Sequence, residues 1–358
     1  MKLLDLTLRE GEQRPGVQYT VDQKAAAARE LDSLGVNFIQ VGFPVADERT
    51  AAVCERCSLD AATTGIARAI PGDVEAAIDA GVDVVDLFAP TSDRQLEHVL
   101  GKDCDALLEA AAEAAELAHD HGVDVHFSAM DGFRTDPSFL DELFATVDAT
   151  VYTIADTVGS RTPAGVTSYL DALETDLSQI GVHFHDDLGV ATANALASAR
   201  LGVGKVDVST AGLGERAGNA VLEEFVAAAV VGEESIALPV AEEQLLPVTE
   251  AVIDILDEDV EPDKSLLGAD VFAHESGLHT AAMLDDPSTF EPFDPARFGG
   301  QRQLLFGSAT GRGAARRLLE RAGRDATEKR TERLLERLNE TTEEVTVEEA
   351  LAIAKEIN

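Results

Sequence analysis

The chain has 358 residues, 45% of them hydrophobic, and 67 acidic against 28 basic residues give it a formal net charge of −39. Such a length fits one large barrel plus an appendage, with enough apolar residues for a sizeable core. The acidic residues are spread along the whole sequence, which reads as a solvated shell that salt would screen, and argues against nucleic acid or an anionic membrane as partner.

The opening, MKLLDLTLREGEQ, turns polar too soon for a signal peptide, and no run of about 18 apolar residues predicts a membrane span. Most basic residues are Arg, which with the charge suggests a salt-adapted, halophilic cytoplasm. Short apolar, β-rich runs then recur: 3–8, 36–43, 62–67, 82–88, 123–129, 149–155, 181–186 and 205–210. Segments with helical spacing lie between them, for example 21–34, 73–80, 104–121 and 189–202. Gly35, Gly81, Gly122 and Gly202 stand where those helices should stop. Eight such units predict a parallel (β/α)8 TIM barrel over 1–238. An open doubly wound sheet is the alternative, but LREGEQRPG is not its usual Gly-rich fingerprint.

Past residue 238 the strand rhythm stops. A helix over 240–258, the loop HESGLHTAAML, a Pro-rich passage, the Gly-rich FGSATGRG and two charged helices predict a smaller helical region over 239–358, with no regulatory domain. GSATGRG lacks the lysine and spacing of a phosphate-binding loop and reads as a plain turn. Cys54 and Cys57 form a lone CxxC and Cys104 stands apart, too few ligands for a structural zinc site; packing on a helix face is the expectation.

Chemistry in such a barrel belongs at the C-terminal strand ends. His183 and His185, in HFHDD, are two apart on a strand, so both imidazoles face the same side. With Glu10 after the first strand they would make a two-histidine, one-carboxylate set for a divalent metal, and Asn219 could add a neutral oxygen. Hydrogen-bonded barrel histidines are the bland alternative. Arg9 could hold a carboxylate or a developing oxyanion, or simply pair with Glu10 or Glu12. GLGERAGN could cradle an anion or be a tight turn. Asp131 and Arg134 could pair with each other.

Together TLREGEQ, ADTVG, HFHDDLGVATANA, GLGERAGNAVLEE and HESGLH resemble the homocitrate, 2-isopropylmalate and citramalate synthase family, over about residues 3–320. These are metal-dependent barrel enzymes that join acetyl-CoA to a 2-oxo acid. The resemblance implies that Glu10, His183 and His185, with Asn219 beside them, bind a divalent ion such as Mn, Mg, Zn or Co. It implies that Arg9 polarises the keto oxygen and that Gln13, Ser128 and Thr157 position the oxo acid. His279, from the second region of this chain or of a partner subunit, would help deprotonate acetyl-CoA. His126 stands where lysine-pathway homocitrate synthases carry an Arg that faces the distal carboxylate. A cytoplasmic homodimer is also implied. Glu10 and ADTVG lean toward homocitrate synthases, whereas GIARA at 65–69 leans toward isopropylmalate synthases. The chain departs from the family at Met130, where a Glu is usual, at Phe290, where a Tyr is usual, and at GSATG, where GKHSG is usual. Those departures motivate an alternative, a non-catalytic metal- and ligand-binding paralogue. A metal-dependent aldolase or lyase of the same barrel group is another.

Overall fold

The computed structural model describes residues 1–101, 103–232 and 236–358. The chain falls into two compact units, Met1–Asp259 and Val260–Asn358. The helix Leu245–Leu256, expected in the second region, therefore belongs to the first unit. Its apolar face, including Leu246, Val252, Ile253 and Leu256, is buried.

The first unit is a closed barrel of eight parallel strands, in ring order β1 to β8. They are β1 (Lys2–Asp5), β2 (Phe38–Gly42), β3 (Ala62–Arg68), β4 (Val84–Pro90), β5 (Asp124–Met130), β6 (Val151–Asp156), β7 (Ile180–Phe184) and β8 (Lys205–Val208). The ring closes where Lys2 to Asp5 register with Lys205 to Val208. Parallel strands covered on both faces are apolar almost throughout, which is why they read as continuous runs; all five residues of β2 and of β7 are buried.

Helices return the chain between strands. The helix Val21–Leu34 opens on a capping box between Thr20 and Gln23, and ends at Gly35 with φ +96°. Gly81, Gly122 and Gly202 also take positive φ at helix ends, as the sequence predicts. Cys54, Cys57 and Cys104 are free and half-buried. Burial pushes the Cys54 thiol up to about 11, which suits packing rather than reactivity.

The second unit holds a two-stranded parallel pair, Ala273–His274 with Gln303–Leu304. Its core packs Phe306, Leu318, Leu334 and Leu338. The sequence predicts two charged helices at its end; the structure has three: Arg312–Arg321, Glu328–Asn339 and Val347–Glu356. The last is short and opens on its own capping box at Thr346 and Glu349, a start signal its high charge disguised.

Candidate metal centre and active site

The first strand ends earlier than its apolar run. Asp5 Oδ1 accepts a hydrogen bond from the Thr7 backbone N–H at 2.9 Å, and the chain coils into a single helical turn over Thr7–Glu10. Short polar side chains that bind backbone two residues on compete with a sheet ladder in this way. That turn sets Arg9 and Glu10 at the barrel mouth. Glu12 is engaged elsewhere: Lys24 Nζ lies 2.6 Å from its Oε2 and Arg49 NH1 2.7 Å from its Oε1. Arg9 instead pairs with Glu10.

Across the ring closure, His183 from β7 and His185 just beyond it face each other, Nε2 to Nε2, at 3.2 Å. One ligand atom from each, and one from Glu10, lie within 4.8 Å of one another, and all three residues are buried. Burial works against the Glu10 charge, but Arg9 and the two imidazoles outweigh it and hold the carboxyl below its ordinary range. Burial, reinforced by His183, pushes His185 down to about 3, so its imidazole is neutral at physiological pH. The other nitrogen of His183, Nδ1, lies 3.5 Å from Asp207 Oδ2, and Lys205 Nζ lies 2.8 Å from Asp207 Oδ1. The donor set fits a divalent ion: two imidazoles and an ionised carboxylate converge, and a carboxylate backs one imidazole from behind. Among the described residues no other cluster of three such groups is found.

Asn219 pairs its backbone with His185 in an isolated antiparallel bridge, and its buried Oδ1 has no partner. The glycines before it are needed for a tight turn. A Cβ at Gly214 would stand 1.9 Å from Asn219 Oδ1, and one at Gly218 (φ +91°) 2.0 Å from the Gly212 carbonyl. The Glu215 backbone N–H faces Glu10 Oε2 at 3.5 Å.

The cluster opens into a cavity of about 170 Å³. Arg9, Gln13, Ser128 and Thr157 line it together with the cluster, so four strand ends, those of β1, β5, β6 and β7, bring these predicted residues to one place. Gln13 Oε1 accepts from Arg9 NH1 at 3.3 Å, and Thr157 Oγ1 accepts from the Asp131 N–H at 2.8 Å. Asp131 is also bidentate with Arg134, at 2.7 Å for each bond.

His126 does not line the cavity. It is 1% exposed, packs edge-on against Phe38 at 4.7 Å, and burial and Lys205 push it down to about 3. His279 lies in the second unit, stacked on Phe290 with ring centroids 3.9 Å apart. His274 in that unit lies 3.7 Å from Glu291, which Arg302 also holds.

Sequence reasoning passed over Gln40, Asp86, Asp207 and Glu215, which also line the cavity. Gln40 Oε1 accepts from Arg9 Nε at 2.6 Å, and Gln40 Nε2 donates to Asp86 Oδ2 at 2.8 Å. Ser128 Oγ donates to Asp86 Oδ1 at 2.8 Å. This chain of bonds from β1 to β5 fixes the guanidinium. The sequence signal of Gln40, Asp86 and Asp207 is a polar residue inside each apolar run, FIQVG, VVDLF and KVDV.

Residues 1–252 match the HMGL-like family model, and residues 266–346 match the homocitrate synthase post-HMGL domain-like model. The "Probable 2-isopropylmalate synthase" of Methanopyrus kandleri is 40% identical over 339 residues, covering 92% of this chain and 67% of that protein. The "Homocitrate synthase AksA" of the same organism is also 40% identical, over 333 residues, covering 91% of this chain and 83% of that one. A Bacillus subtilis HMG-CoA lyase structure superposes with a TM-score of 0.64 at 20% identity, covering 72% of this chain and 94% of that one, a likeness of fold alone. No described helix is long and apolar enough to cross a membrane.

Proposed function

The chain belongs to the HMGL-like family and carries a homocitrate synthase post-HMGL domain-like segment, and from that premise we propose that it condenses acetyl-CoA with a 2-oxo acid. The observation that carries the reading is the convergence of Glu10, His183 and His185 on one point, with Arg9 beside them, at the mouth of the barrel. The relatives named above are synthases, which favours condensation over cleavage and over a non-catalytic role.

Glu10, His183 and His185 would hold a divalent ion, with Asn219 as a further oxygen donor. When bound, the ion would be chelated by the carboxylate and keto oxygens of the oxo acid and would supply a Lewis acid to the keto group. Mn, Zn, Co or Mg all suit this donor set once a substrate oxygen joins it. Arg9, braced by Gln40, would point its guanidinium at the keto oxygen, where negative charge develops. Gln13, Ser128 and Thr157 would orient the oxo acid. His279 would help take a proton from the acetyl methyl group. The methyl carbon then bonds to the keto carbon, the keto oxygen gains a proton, and water cleaves the thioester to release CoA. Which oxo acid is used does not follow from identity, since an isopropylmalate and a homocitrate synthase stand at the same 40%. Among the motifs, Glu10 and ADTVG lean toward the homocitrate type and GIARA at 65–69 toward the isopropylmalate type, so the motifs do not choose between them. A cytoplasmic homodimer, adapted to salt by its charge of −39, completes the reading.

The test is CoA release from acetyl-CoA, followed with a thiol reagent, across a panel of oxo acids. Chelator-sensitive release that Glu10→Gln and His183→Ala abolish is the expected result. Release that persists in EDTA would sink the metal-assisted reading.

A further inference from the structure

We infer that the oxo acid this cavity takes is a monocarboxylate with a short apolar side chain, the class of 2-oxobutanoate and 2-oxoisovalerate, selected by Ile66, Phe88 and Met130. The inference rests on the reading that Glu10, His183 and His185 seat the carboxylate and keto oxygens. The ring order then sets where the rest of the molecule goes. β7, β8 and β1 are consecutive in the closed ring, and β3, β4 and β5 stand across from them. The cluster comes from β7 and the turn after β1; Ile66, Phe88 and Met130 come from β3, β4 and β5 and line the same cavity. Register places them stepwise toward the mouth: Ile66 is level with Asp86, Phe88 with Ser128, and Met130 with Pro90. A side chain leaving the cluster therefore runs toward an apolar wall.

A second carboxylate there would find no counter-charge. Among the described residues that line the cavity, Arg9 is the only basic side chain besides the two imidazoles, and Glu10, Gln40 and Gln13 hold it on the near side. On the far side the acidic group is Asp86, whose two oxygens already accept from Gln40 and Ser128 and which offers a second carboxylate no cation. The guanidiniums near that wall are spoken for. Arg68 bonds Asp73 at 2.7 and 2.9 Å, and Arg134 is bidentate with Asp131. Lys205 is fully buried against Asp207 and does not line the cavity. His126, the residue that would otherwise meet a distal carboxylate, is neutral and outside. Stripping water from a carboxylate against Ile66 and Phe88 with no partner is strongly unfavourable, while a methyl group or two in such a pocket gains on the order of tenfold to a hundredfold.

The experiment titrates Mn-loaded protein calorimetrically with pyruvate, 2-oxobutanoate, 2-oxoisovalerate, 2-oxoglutarate and oxaloacetate, and assays CoA release in parallel. Binding of 2-oxobutanoate or 2-oxoisovalerate at least tenfold tighter than either dicarboxylate is expected. Equal affinities, tighter 2-oxoglutarate, or no binding by any acid would overturn the inference. Tenfold selective binding without CoA release would uphold this pocket while removing the acyl-transfer reading, so the two failures are distinguishable. Ile66→Arg, or Met130→Arg should the first fail to fold, is expected to reverse the preference at least tenfold toward 2-oxoglutarate. A folded variant with unchanged preference would remove the apolar wall as the selector.

Discussion

Asp207 stands behind His183, its Oδ2 3.5 Å from Nδ1, while the opposite nitrogen of the same ring faces His185. A carboxylate in that place fixes both the tautomer and the plane of a ligating imidazole. Burial opposes the Asp207 charge, but Lys205 and His183 together hold the carboxyl below its ordinary range. Asp207→Asn is expected to weaken Mn or Zn affinity by about 10–100-fold, with the fold retained. Calorimetric metal titration, alongside circular dichroism, checks this; wild-type affinity in the variant would show that His183 needs no support.

Gln40 Oε1 holds Arg9 by its Nε, at 2.6 Å. Without it the guanidinium keeps its charge but loses its aim. Gln40→Ala should lower kcat by roughly 10–100-fold and leave KM for the oxo acid within about threefold, since the lost interaction matters most where charge develops. Steady-state kinetics decides. A rise in KM with unchanged kcat would place Arg9 in ground-state binding instead.

Asp5 is buried with one oxygen, Oδ2, unpartnered, and burial pushes its carboxyl up to about 7 against hydrogen bonds from Thr7. The sign follows from which state holds the proton. Between about pH 4 and pH 7 the folded chain keeps it and the unfolded chain has released it. The stability this group contributes is therefore complete below pH 4 and is lost as pH rises through 7. Asp5→Asn keeps the acceptor for Thr7 and carries no charge. It should match wild type near pH 4 and exceed it above pH 7 by on the order of 2–4 kcal/mol. Urea melts at both pH values measure the difference, and a gap independent of pH would show that Asp5 does not titrate in this window.

Gly218 must accept φ +91° and lies against the Gly212 carbonyl. Gly218→Ala should cost about 2–3 kcal/mol and disturb Asn219 next to it. Thermal melts and metal titration of the same sample test both effects together.

Much of the barrel is legible in the sequence because strands buried on both faces leave unbroken apolar runs, and because Gly35, Gly81, Gly122 and Gly202 mark the helix ends. The same burial hides the site's inner braces. When both faces are covered there is no alternation to separate inside from outside, so Gln40, Asp86 and Asp207 look like blemishes in strands. His183 and His185 escaped that fate because two imidazoles spaced by two are themselves a signal. The first strand was read too long because LLDLTL is apolar to its end, while the Asp5 to Thr7 bond that breaks it is a local competition. His126 is a substrate-contact candidate only through the resemblance, as the counterpart of an Arg in related synthases; no spacing or pattern in the sequence shows that it packs edge-on against Phe38.

Ring closure has a further consequence for how such a molecule can change. The groups that would hold the metal ion and polarise the keto group are written near the two ends of the barrel sequence, at 9–10 and 183–219, and meet because β1 pairs with β8. The wall opposite them is written in one uninterrupted stretch, from Ile66 to Met130. Diversification within that middle stretch, with Asp86 and Ser128 kept to brace Arg9, can retune which molecule is accepted while Glu10, His183 and His185 stay untouched. An exchange of residues 62–131 with a relative of different preference is thus a single genetic event that would transplant selectivity whole.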